Sequence, residues 1–148
     1  MNEDDFYLKV AYALSGCQLV EQQLKLYVTE ALDLARKCIG DKMTFKLSGE
    51  DYEESSLERL IEIFKKLSGN EVLGRELVAF KKERNFLSHK AITHCLDYEG
   101  ELFCSTAEDM QTRLHAISAE AERLREAIHL EANKFRGHLY FDPIEPPG

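Results

Sequence analysis

The stretch FYLKVAYALSGCQLVEQQLKLYVTEALDLA (residues 6–35) decides the fold class. Its Phe6, Val10, Ala13, Leu14, Cys17, Leu24, Val28, Ala31, Leu32 and Ala35 recur at spacings of three and four, the period of one long amphipathic helix. That helix is expected over residues 5–39, with Gly40 as its stop. The same period returns three times. Leu57, Leu60, Ile61, Phe64 and Leu67 follow a Ser55 or Ser56 cap, and Ser68-Gly69-Asn70 closes that second helix. A third helix is expected over residues 71–91 through Leu73, Leu77, Phe80 and Leu87. A fourth, capped by Ser105 or Thr106, carries Met110, Leu114, Ile117, Leu124, Ile128 and Leu130 as far as residue 135.

Between these helices the period breaks. Residues 41–55 read as a connection with a short extended piece at residues 44–47. Residues 92–106 hold two short apolar runs around Glu99-Gly100, the pattern of a hairpin turn that would set Cys95 opposite Cys104. The expected fold is all-α: an antiparallel four-helix bundle with a short β-hairpin-like insertion between helices 3 and 4. One domain is expected over residues 1–136. Gly137, Pro143, Pro146 and Pro147 predict a non-helical C-terminal arm over residues 137–148.

Length and composition narrow the function classes. A chain of 148 residues can bury a core without disulfide or metal staples. Its net charge of −8 repels nucleic acid on average and argues against a basic DNA-coating protein. Positive charge is nevertheless concentrated locally at Lys65, Lys66, Arg75, Lys81, Lys82, Arg84 and Lys90. The acidic opening Met1-Asn2-Glu3-Asp4-Asp5 is unlike a signal peptide, and no run is long enough to span a membrane, so a cytoplasmic location is expected. Cys17, Cys38, Cys95 and Cys104 lack CxxC spacing and sit among apolar residues, which predicts reduced, buried thiols. His94, Cys95 and Cys104 lack zinc-ligand spacing, and neither a metal nor a cofactor is expected.

The third helix carries a second informative stretch, ERNFLSH (residues 83–89). At about 100° per residue, Leu73, Leu77, Phe80 and Ala91 project within roughly 40° of Arg84, and Leu87 within roughly 60°. Arg84 therefore points into the apolar stripe, where a guanidinium is costly unless it is paired or open to a cleft. Glu21 lies among Leu14, Val28 and Leu32 on the first helix and has the complementary problem, so the two are expected to meet as a charge-assisted pair. Asn85 and His89, four apart, stack on another face, where the amide can set the imidazole tautomer. A site using both Arg84 and His89 needs a wall facing the gap between them, which a second subunit can supply.

Arg84-Asn85-Phe86-Leu87-Ser88-His89 resembles the arginine, polar residue, x3, histidine signature of the HEPN superfamily, small all-α proteins that include RNase toxins of toxin–antitoxin and phage-defence systems. The motif lies near the end of the third helix of a four-helix chain, where that family keeps it. The resemblance implies a homodimer whose motif helices face each other across one composite cleft, with metal-independent cleavage of RNA. Arg84 would hold the scissile phosphate, His89 would move protons around the 2′-hydroxyl, and Asn85 and Glu21 would support them. Lys81, Lys82 and Lys90 would add phosphate or RNA contacts. The chain departs from the best-known toxin subset, in which a tyrosine stands two positions after the histidine: here that position is Ala91. Regulation by modification of that tyrosine therefore does not carry over, although an antitoxin or other partner protein remains an implied partner. The alternative reading is a non-catalytic helical dimerisation or interaction module, in which Arg84 only fixes helix packing.

Overall fold

The computed structural model describes residues 3–89 and 104–143, and over these it is all-helical. The helices are α1 (Glu3–Ile39), α2 (Leu57–Leu67), α3 (Glu71–His89) and α4 (Cys104–Tyr140), with one 3₁₀ turn at Gly49–Tyr52. No strand occurs among the described residues. The extended piece expected at residues 44–47 is irregular chain. The hairpin-like insertion, with Cys95, falls outside the described residues.

Local signals place most helix ends. Gly40 adopts φ +60°, which suits a residue without a Cβ, and its N–H donates to Arg36 O at 2.9 Å to close α1. Ser56 caps α2 by accepting from Arg59 N, and Asn70 Oδ1 caps α3 by accepting from Leu73 N at 3.0 Å. Two boundaries of α4 correct the sequence reading. It starts at Cys104, so Ser105 and Thr106 are inside it, and it runs through Gly137 to Tyr140. Tertiary contacts hold that last turn. Lys37 Nζ donates to the carbonyls of His138, Leu139 and Asp142 at 2.9, 2.9 and 2.5 Å, supplying a cation where helix carbonyls lack partners.

The expected antiparallel arrangement holds for only some helix pairs. Glu58 meets Lys81 while Lys65 lies over Gly74, so α2 and α3 are antiparallel. Arg113 binds Glu83 and Arg123 binds Glu76, so α3 and α4 are antiparallel as well. The two long helices instead run parallel: Gly16 meets Ala121, Glu30 meets Arg136, and Lys37 meets the end of α4. The physical reason is the connection between α1 and α2. After Gly40 the chain climbs back along α1, where Arg36 Nη2 donates to Leu47 O at 2.7 Å and Gly49 packs on Thr29. The second helix can then descend in the same direction as the first.

The core fills the space between the α1/α4 pair and the α2/α3 hairpin. Phe6, Val20, Leu24, Leu60, Phe64, Leu77, Leu114, Leu124 and Ile128 are fully buried there. Tyr27 stacks on both Phe64 and Phe135, with ring centroids 4.8 and 5.3 Å apart, joining three helices at one point. Beside it Glu131 accepts from Ser68 Oγ and Asn70 Nδ2, each at 3.1 Å, and pairs with Lys134 at 2.8 Å. Burial raises the Glu131 pKa, but the hydrogen bonds from Lys134, Asn70 and Ser68 outweigh it and hold the carboxyl below its ordinary range.

Two outcomes follow from this packing. A Cβ on Gly49 would clash with Thr29 Oγ1 and sit 2.7 Å from the Thr29 Cβ, so Gly49→Ala should destabilise the fold by about 1–3 kcal/mol in urea titration. Glu131 has a depressed folded pKa, so its stabilisation is full above the ordinary carboxylate range and is lost as pH falls through that range and then the folded value. Glu131→Gln should therefore lose stability at neutral pH and flatten the acid limb of the stability curve; an unchanged acid limb would assign that limb to other carboxylates.

Candidate functional site at the end of α3

The stripe that buries α3 comprises Leu73, Leu77, Phe80 and Leu87, all essentially without solvent access. Arg84 sits in it as the projection requires, and it meets Glu21 of α1 with Nε 3.5 Å from Oε1. The pair lies at the edge of the core. The Arg84 side chain keeps 35% of its surface exposed and that of Glu21 18%. A pair this open, joined through one long contact, is screened and contributes at most about 1 kcal/mol. The guanidinium is therefore anchored through Nε while a third of the side chain's surface stays open to solvent.

One turn before Glu21, the buried Cys17 thiol faces the same pair. Burial pushes its pKa up to about 11; Glu21 raises it further and Arg84 lowers it. At neutral pH it is a protonated, apolar filler with no nucleophilic role. Cys38 departs from the expected burial because it stands exposed in the last turn of α1.

Asn85 and His89 are both exposed, on the side of α3 away from the stripe. Among the described residues, the expected asparagine-to-imidazole hydrogen bond is not formed. Lys82 is exposed next to them, whereas Lys81 is drawn to Glu58 at 3.5 Å and so is partly neutralised. Lys90 and Ala91 lie outside the described residues. The structure thus unites Arg84 with Glu21 and leaves His89 on a different face of the same helix.

Sequence reasoning missed the feature that fixes the outer face of the motif. Phe86 carries the guanidinium of Arg113 from α4 over its ring, 3.4 Å from the centroid. Glu83 grips the same guanidinium with both oxygens at 2.8 and 3.0 Å, and this holds its pKa above the ordinary value. The legible part of this signal was the i,i+3 placement of Glu83 and Phe86 on one face; the arginine comes from a helix 30 residues away. Among the described residues no cluster of histidine, cysteine and carboxylate side chains could hold a metal, and no helix is long and apolar enough to cross a membrane. His129 and His138 are engaged in pairs with Arg136 and Asp142, remote from the motif.

Comparison with known protein families, characterised proteins and solved structures finds no match to this chain.

The Cys17 environment gives a direct readout of the pair. Peptide mapping after alkylation of the native protein at neutral pH should modify Cys38 and spare Cys17. Replacing Arg84 with Ala removes the one charge that lowers the Cys17 pKa, so the pH at which Cys17 becomes reactive should move up. A downward move would place the guanidinium elsewhere.

Proposed function

We propose that this chain is a metal-independent endoribonuclease or RNA-binding protein of HEPN type, acting as a cytoplasmic homodimer. The observation that supports this reading is the state of Arg84: a guanidinium at a core edge, met by Glu21 through Nε, with 35% of the side chain still exposed. A purely structural ion pair is expected to close both forks. A phosphate-binding arginine needs one fixed end and one open end.

In the proposed reaction the ribose 2′-oxygen attacks the adjacent phosphorus and the 5′-oxygen leaves, forming a 2′,3′-cyclic phosphate. Arg84 stabilises charge on the non-bridging oxygens, His89 takes the 2′-hydroxyl proton, and the departing 5′-oxygen takes up a proton from water to leave as a hydroxyl. Asn85 and Lys82 contribute exposed polar and cationic contacts to the strand. Arg84 and His89 diverge on α3, so the complete site draws one of them from each copy, across a cleft where two α3 helices meet. The same resemblance suggests a toxin–antitoxin or phage-defence setting, with an antitoxin as protein partner.

Purified protein incubated with mixed RNA in EDTA should yield cyclic-phosphate ends. Arg84→Ala and His89→Ala should each lower the rate at least about 100-fold while leaving helicity and melting essentially unchanged. The competing interaction-module reading is favoured if no RNA is cut or bound, Arg84→Ala lowers the melting temperature and His89→Ala changes nothing.

A further inference from the structure

Among the described residues, the α2/α3 hairpin covers one side of the parallel α1/α4 pair and none covers the other. A continuous groove runs along that open side. Leu8, Tyr12 and Ser118 line its upper part, Tyr12, Leu19, Ser118 and Arg125 its middle, and Gln23, Glu122 and Arg125 its lower part. No residue of α2 or α3 lines it.

The α1 edge of this groove has a second apolar stripe, distinct from the one that builds the core. Leu8, Tyr12, Leu19 and Leu26 follow spacings of four and seven and remain 68%, 72%, 43% and 44% exposed. Such a row on a soluble helix marks a contact surface. The α4 edge adds Glu122 and Arg125, and two polar atoms of the groove, one from each helix, lack partners. Arg125 Nε and Gln23 Oε1 are shielded from solvent yet make no hydrogen bond. Glu122 lies one turn from Arg125 in the same groove.

We propose that this face is an isologous interface with a second, antiparallel copy of the chain. Two helices with independent sequences point to the same symmetry axis. On α1, Tyr12 and Leu26 stand seven residues either side of Leu19, so a two-fold at Leu19 packs Tyr12 on Leu26 of the other copy and Leu19 on itself. On α4, Glu122 and Arg125 exchange partners across a two-fold midway between them, each meeting its opposite charge. The Gly16–Ala121 contact sets the register of the two helices, and it puts that midpoint level with Gln18 and Leu19. One axis therefore serves both helices. An unrelated partner would not require this coincidence.

This surface is separate from the α3 contact invoked for RNA cleavage, and either can fail without the other. The test uses the full chain with Cys38 replaced by Ser. Leu19→Cys should form an intermolecular disulfide under mild oxidation, while Val72→Cys, exposed on α3, should not. In sedimentation velocity Leu19→Glu should weaken association at least about tenfold. Glu122→Arg should also weaken it, and adding Arg125→Glu should restore it, because reversing both charges preserves the reciprocal pairs. Absence of the Leu19→Cys crosslink, or association unaffected by Leu19→Glu, overturns the proposal. So does failure of the double charge reversal to recover association in a variant that keeps wild-type helicity.

Discussion

Glu30 is a carboxylate with 4% of its surface exposed, and Arg136 and Tyr140 close on it. Arg136 closes on it with Nε and Nη2 at 2.7–3.2 Å, and the Tyr140 hydroxyl donates to its other oxygen at 2.7 Å. Arg136 is itself held by Asn133 and the His129 ring. A buried carboxylate left alone would cost several kcal/mol, so this pairing fixes which turn of α4 can stand beside which turn of α1. The parallel register of the two long helices, and with it the Gly16–Ala121 approach and the Lys37 cap, follows from satisfying that one group.

The long pair then acts as a rigid back against which the short hairpin packs. Tyr27, Phe64 and Phe135 meet at the hairpin turn, and Ser68, Asn70 and Glu131 tie the turn to α4. At the opposite end the Glu83, Phe86 and Arg113 cluster fixes the outer side of α3. The motif helix is thus clamped near both ends, and Arg84 and His89 are presented on a support that need not reorganise. Rigid presentation of exposed polar groups is what a phosphate site requires.

Two faces of the molecule carry unsatisfied chemistry. The α3 face offers a partly exposed guanidinium and an exposed imidazole. The α1/α4 face offers leucines, a tyrosine and a reciprocal Glu122 and Arg125 pair. A two-fold through the outer groove leaves α3 uncovered.

The sequence by itself determined the helices, because a period of three and four over 30 residues has no other economical solution, and it determined that Arg84 and Glu21 both face inward. Their meeting at 3.5 Å was legible for that reason: two charges on apolar faces have few alternatives. It could not tell that α1 and α4 run parallel, since direction depends on the climb of residues 40–56 along α1, which rests on the Gly49–Thr29 and Arg36–Leu47 contacts. Nor could it tell that α4 continues through Gly137 to Tyr140. Local propensity argues for a stop there, and only Lys37 and Glu30, about 100 residues earlier, supply the carbonyl cap and the hydroxyl acceptor that override it. Placement on a helix face is a local property of the chain. Direction, register and the last turn of α4 are settled by partners far away in sequence.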